Sequence, residues 1–271
     1  MADPTWVLER DVFARETFDA VLAALRETGT RHHAVYVTDG RVVGRPPQID
    51  GPCIVYGAIG VRELSKRYGW EPGVFGEEAA FSAGGHLGDL MLNASAEVMP
   101  LSAVGSYLDS GEWRTHDQFF LKPEDDNKAF AGLTLTPADF PGWLERLQAS
   151  GYLGRGDFNV VLAPAQKLGW EWRVVMVAGE PVAASSYRLR GLVNELPGCP
   201  AEVEAFAREA HRRYAPASVY VIDVAEVLGA AGEPTELKVV EHNTFNSASL
   251  YACPAARVVE AVTTYVRQGG R

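Results

Sequence analysis

The sequence predicts an α/β or α+β protein built from more than one layer. Three observations predict it. Helix-period and strand-period stretches alternate along the chain. No internal repeat, low-complexity segment or long linker interrupts them. Finally, 271 residues that are 47% hydrophobic and 22% charged suffice to bury a large core or two or three closely packed subdomains.

The elements follow in chain order. In TFDAVLAALRETG, Phe18, Val21, Leu22 and Leu25 fall at helical spacing, and Gly29 is a natural C-cap. HAVYVTDG and CIVYGAIG read as strands, VRELSKRYG as a helix, and GWEPGVFG as a loop punctuated by proline and glycine. A second block opens near residue 112. QFFLKP is a short buried strand ending in Lys122-Pro123, and the acidic loop EDDNKAFAG follows it. TPADFPGWLERLQASG offers Thr136 as N-cap with Pro137 at the first helical position. NVVLAP is a strand interrupted by Pro164, and WEWRVVMVAGEPVAASSYRLR reads as a hairpin turning at Gly179-Glu180. Then come a helix in AEVEAFAREAHRRYA, strands in SVYVIDVAEVL and TELKVVEHN, and a closing helix in ARVVEAVTTYVRQ.

Charge and cysteine usage narrow the function. The formal charge is −10 and the pI about 5.1, and the 25 cations are scattered rather than blocked. A binder that tracks nucleic-acid phosphates is not expected from such a surface. Cys53, Cys199 and Cys253 are far apart and show neither a disulfide framework nor metal spacing. With no apolar leader and no membrane-spanning run, the expectation is a cytoplasmic protein without a membrane partner. A homodimer is compatible with this composition.

The chemistry gathers in the second half. In KVVEHN, Glu241 and Asn243 point to one side of a strand and His242 to the other. SVYVIDV places Asp223 near the end of the preceding strand, so hairpin pairing would set Asp223 beside Glu241. Asp, Glu and Asn form an all-oxygen set that suits Mg²⁺ and is poor for zinc, and magnesium held this way usually completes its shell with phosphates and water. The bland alternative for each carboxylate is a solvated strand end. Lys122 can neutralise phosphates as a point charge, and Lys128 lies in a loop able to close over a γ-phosphate; the alternative makes both surface lysines. Glu171 and Arg173 share a strand face and suit ribose hydroxyls and a phosphate or carboxylate; Arg188 and Arg190 repeat the pattern on the partner strand. An exposed same-face ion pair is the plain reading of the first two. Tyr56, Trp70, Phe75, His86 and Trp113 read more as packing than as ligands. His32, His33 and His116 show no ligand pattern.

The order LKP, lysine loop, NVVLAP, GWEWR, Asp223 and Glu241-x-Asn243 resembles the ATP-grasp superfamily over residues 112 to 251. It is most similar to a small bacterial and phage branch, through KPEDDNKAFAG, EWRVVMVAGEPVAASSYR and VVEHNTFNSASLY. The resemblance implies an α/β subdomain over 1–111, followed by two α+β subdomains, 112–165 and 166–271, that sandwich ATP. It implies that Lys122 contacts the α- and β-phosphates, that the backbone of Leu162 and Ala163 meets adenine, and that Glu171 holds the ribose. Asp223, Glu241 and Asn243 would bind Mg²⁺, with Mn²⁺ as a substitute, while Arg173 and Arg188 approach the γ-phosphate. Many relatives cover the phosphates with a Gly/Ser-rich loop, whereas DDNKAFAG has one glycine and two acids. Asn246 and Tyr251 either complete the site or shape the turn.

The activity this implies is an ADP-forming ligase joining a small-molecule or peptide carboxylate to an amine through an acyl phosphate. Two other activities stay open: a phosphotransferase acting on a hydroxyl or protein acceptor, and a non-catalytic nucleotide-binding regulator.

Overall fold

Residues Thr5 to Glu9 are buried on both faces, as a central parallel strand requires, and they form β1 (Thr5–Glu9). In the computed structural model, which describes residues 2–58, 60–81, 86–110, 113, 116–124, 130–150 and 156–271, this strand leads into α1 (Arg15–Glu27) and β2 (His32–Val35). Gly29, at φ 64°, takes the left-handed conformation just past the helix end. HAVYVTDG is not one strand. It breaks after β2 into a tight hairpin, β3 (Val37–Thr38) and β4 (Arg41–Val42). Asp39 and Gly40 both have positive φ there, the Asp-Gly turn that two-residue hairpins favour. Next come β5 (Cys53–Tyr56), α2 (Val61–Tyr68), β6 (Pro72–Gly73) and α3 (Glu78–Phe81). The stretch expected as a plain loop therefore contributes β6, which pairs with β5.

The chain divides into two compact units, residues 93–167 and the combination of 1–92 with 168–271. The first of these contains β7 (Glu97–Pro100), α4 (Val104–Leu108), β8 (Phe119–Pro123), β9 (Leu133–Leu135), α5 (Phe140–Ala149) and β10 (Asn159–Pro164). Its sheet is antiparallel in the order β7-β10-β8-β9. QFFLKP alternates across it: Phe119 and Leu121 are fully buried with Leu101, Val104, Phe140 and Leu162, so Phe120 and Lys122 occupy the other face. The helix expected to start at Pro137 starts at Phe140. Thr136 caps the preceding turn instead, accepting from the Asp139 N–H (3.1 Å) and donating to Asp139 Oδ2 (2.6 Å). The second proline, Pro141, has no N–H to donate and fits the first helical turn, where none is used.

The larger unit adds β11 (Leu168–Val177), β12 (Glu180–Leu189), β13 (Leu192–Pro197), α6 (Ala201–Arg213), β14 (Val219–Leu228), β15 (Pro234–Thr244) and α7 (Ala255–Arg267). Two sheets organise it. One is parallel, in the order β2-β1-β5-β6; the other is antiparallel, β13-β12-β11-β14-β15. The antiparallel sheet is covered on both faces. Val175, Val177, Val219 and Val221 join α1, α7 and the Trp6, Leu8, Ile54 and Tyr56 face of the parallel sheet in one core. Val174, Met176, Tyr220, Ile222 and Val224 pack against Val203, Ala207 and Ala210 of α6 in another. The parallel sheet has α1 on one face and Val61 and Leu64 of α2 on the other. Among the described residues, no helix is long and apolar enough to cross a membrane.

Candidate functional site

The register of three adjacent strands assembles the site. β14 lies between β11 and β15, and Asp223 pairs with Arg173 on one side and Glu241 on the other. Asp223 is the fifth of ten residues in its strand, not a strand end, and it is 2% exposed. The solvated-edge alternative therefore fails for it. Asn243 sits two residues beyond Glu241, on the same side of β15.

These side chains converge on one another. Arg173 grips Asp223 with both arms, Nε to Oδ1 at 2.9 Å and Nη2 to Oδ2 at 2.7 Å. Its third nitrogen, Nη1, donates to the Ser249 carbonyl at 2.8 Å. Asn243 Nδ2 donates to Glu241 Oε1 at 2.9 Å and lies 3.4 Å from Asp223 Oδ2. The exposed Glu171–Arg173 pair read from the sequence is absent: both residues are buried, and Glu171 accepts a hydrogen bond from the Tyr187 hydroxyl at 3.0 Å instead. Arg188 stands opposite Glu171 in β12, exposed, whereas Arg190 lies past the strand in a turn with φ 50°.

Electrostatics follow from this burial. Desolvation pushes the Asp223 carboxyl above the ordinary carboxylate range, and the Arg173 guanidinium pulls it back. Desolvation works against the Arg173 charge, yet its pKa still rises because Asp223 and then Glu241 stabilise the cation. Glu171 is raised by burial, against the Tyr187 hydrogen bond and the charge of Arg188. Tyr251 stacks on Tyr187 with ring centroids 5.1 Å apart, and the Arg173 guanidinium lies 4.6 Å from the Tyr251 ring centre. Burial pushes the Cys253 thiol up to about 12, so it offers no thiolate nucleophile.

Asp223, Glu241 and Asn243 fit a hard divalent cation. The donor set is all oxygen once the Asn243 amide turns, since its nitrogen already stands between the two carboxylates where a cation would balance them. Among the described residues there is no group of three or more His, Cys, Asp and Glu side chains able to hold a metal, so the carboxamide is needed to make up the set. The remaining predicted residues lie in the 93–167 unit. Lys122 is half-buried in β8. Leu162 is flanked by Glu97 of β7 and Leu121 of β8, whereas the β7 pairing stops before Ala163. Lys128 falls outside the described residues.

Sequence reasoning left Asn246 undecided, and it proves structural. It is fully buried, accepts from the Phe75 N–H at 2.9 Å, and donates to the Val55 and Gly73 carbonyls. Tyr56, Trp70, Phe75 and Trp113 are core residues, while His86 stacks on Tyr214 with centroids 4.7 Å apart.

The sequence model of one ATP-grasp domain family, the third family of its clade, matches residues 65–262. No curated protein matches the chain. Among solved structures, the fold is similar to the D-cycloserine synthetase DcsG, at TM-score 0.65 and 14% identity over 97% of this chain and 99% of that one. It is also similar to a D-alanine–D-alanine ligase from Bacillus anthracis complexed with ATP, at TM-score 0.55 and 14% identity over the whole of both chains. A third is the ATP-grasp ligase PsnB complexed with minimal precursor, Mg and ADP, at TM-score 0.51 and 14% identity over 96% and 98% of the two chains.

Proposed function

The chain belongs to this ATP-grasp domain family, and from that membership we propose that it is an ATP-dependent, ADP-forming carboxylate–amine ligase. The observation that supports this most is the convergence of Arg173, Asp223, Glu241 and Asn243. A regulator relieved of catalysis has no need of such a set.

In the proposed reaction a substrate carboxylate attacks the γ-phosphorus of ATP, releasing ADP and leaving an acyl phosphate. An amine then attacks the acyl carbon, inorganic phosphate leaves, and the amine proton passes to water. Asp223, Glu241 and Asn243 would hold Mg²⁺, which supplies charge neutralisation between the phosphates. Arg173 is fixed in place by Asp223 and the Ser249 carbonyl, so its charge is pre-oriented rather than recruited during the reaction. Arg188, exposed and opposite Glu171, is proposed as the second cation for the γ-phosphate. Glu171 would accept the ribose hydroxyls, and the stacked Tyr187 and Tyr251 rings limit the access of water beside Arg173. Lys122 for the α- and β-phosphates, the Leu162 and Ala163 backbone for adenine, and Lys128 over the γ-phosphate complete the proposal.

The experiment is ADP release measured beside inorganic phosphate, with ATP, Mg²⁺ and pooled carboxylates and amines. ADP and phosphate rising together, only when one carboxylate and one amine are both present, is the expected result. Asp223→Asn and Glu241→Gln should each lower that rate by about two orders of magnitude or more. Glu241→Gln is the cleaner variant because its side chain is only half-buried. Full turnover in both variants would remove the metal site, and ADP without free phosphate would favour a phosphotransferase.

A further inference from the structure

Glu9 ends β1 at the carboxyl edge of the parallel sheet, and the proposed chemistry does not yet use it. It is 9% exposed, and among the described residues its carboxylate takes a single hydrogen bond, from the Ala58 N–H to Oε2 at 2.7 Å. Burial raises its pKa above the ordinary carboxylate range, with the Ala58 bond acting against that rise. The backbone is shaped to admit the side chain. A Cβ on Gly57 would stand 2.5 Å from Glu9 Oε2 and 2.9 Å from Val61 Cγ1. Just past Glu9, Asp11 holds φ 62°, a left-handed conformation that costs a non-glycine residue energy.

Topology says what lies there. From β1 the chain passes through α1 to β2 on one side, then returns to β5 on the other side of β1. The strand order thus reverses between β1 and β5. In open parallel sheets the crevice outside the carboxyl ends, at such a reversal, is where ligands seat. Glu9 and the Gly57–Ala58 backbone are its two lips. Its wall is the segment after β15: the Gly57 N–H donates to the Asn246 carbonyl at 2.8 Å, and the Tyr56 hydroxyl to the Ala248 carbonyl at 2.7 Å. The neighbouring Ser249 carbonyl is the one held by Arg173. One short segment therefore borders both the crevice and the Arg173–Asp223 cluster.

We propose that the crevice between β1 and β5 seats a substrate of the ligase and that Glu9 recognises a primary ammonium group on it. This rests on the ligase reading and gives that site a substrate class. A buried carboxylate with one backbone donor has lone pairs left for a charge-assisted partner, and it disfavours a substrate presenting only anions. The competing role is structural, with Glu9 merely holding the Ala58 loop. Glutamine separates the two, because its carbonyl oxygen still accepts from Ala58 while its charge is gone.

The test uses the full chain with Mg·ADP in thermal melts. Free L- and D-amino acids and small primary amines are each compared with their N-acetyl derivatives, in wild type and in Glu9→Gln. The free forms of some members should stabilise the protein and the acetylated forms should not. Glu9→Gln should weaken that effect by about tenfold or more while the Mg·ADP effect stays intact. Undiminished binding in Glu9→Gln, equal binding of acetylated compounds, or a silent panel beside a normal Mg·ADP response would each overturn the proposal. Failure of Mg·ADP to stabilise would instead count against the nucleotide site, and the amine comparison is then read without nucleotide.

Discussion

Arg173 gives three of its nitrogens to Asp223 and the Ser249 carbonyl from a position only 7% exposed. Removing such a cation strands a buried carboxylate, and that costs more than the pair contributes as a whole. Arg173→Met should therefore lower stability by about 3–5 kcal/mol, read from urea unfolding. A loss below about 1 kcal/mol, the range of a surface pair, would show that Asp223 is not desolvated as described. Lysine should rescue poorly, since it lacks the planar fork that meets both carboxylate oxygens. The sequence made the residue types and the Glu241/Asn243 face legible, because alternation along a strand is local. The partner of Arg173 was not legible. It lies 50 residues away and is chosen by the register of β11 against β14, which no local pattern encodes. Glu9 carried no signal at all, since its surroundings come from Gly57, Ala58 and Val61.

At the scale of an element, β15 carries its site residues on one face and His242 on the other, as its alternation predicts. His242 packs edge-on against Tyr220, with centroids 5.3 Å apart, and lies near Tyr214. Its Nε2 is buried without a hydrogen-bond partner among the described residues. Burial, with a smaller effect from His211, lowers its pKa from 6.5 to about 4. The folded imidazole thus resists a proton that the unfolded one accepts. Its contribution to stability is complete above pH 6.5 and is lost as the pH falls toward about 4, by on the order of 3 kcal/mol. Unfolding free energies of wild type and His242→Phe, measured across that window, should differ in slope, with the variant flatter; parallel slopes would assign the acid sensitivity elsewhere. Element boundaries were harder to read than element types. Thr136 offered a convincing cap, but Pro141 fits the first turn of a helix that starts at Phe140, and only the folded chain decides between two such starts.

Across the whole molecule, Asn246 joins the two sheets of the larger unit. It ties the loop after β15 to the Phe75 N–H and to the Val55 and Gly73 carbonyls from a fully buried position. Asn246→Ala leaves those groups unsatisfied and should cost about 2–4 kcal/mol. The check is chemical denaturation together with limited proteolysis at the carboxyl edge of the parallel sheet. Unchanged resistance to both would mean that water replaces the amide. The alternation of elements announced the α+β class, but the association of residues 1–92 with 168–271 was beyond local patterns, because it depends on contacts between the two ends of the chain.

That association has a consequence for how the protein is made. Trp6 donates its indole N–H to Thr263 Oγ1 at 3.0 Å, across a separation of 257 residues. On a ribosome adding about 5–20 residues per second, β1 waits on the order of ten to fifty seconds for the helix that seals it. The intervening 93–167 unit, whose sheet strands all lie within its own span, emerges whole during that wait. The first strand synthesised is thus among the last to be enclosed, and its apolar face is what a nascent-chain chaperone would meet first.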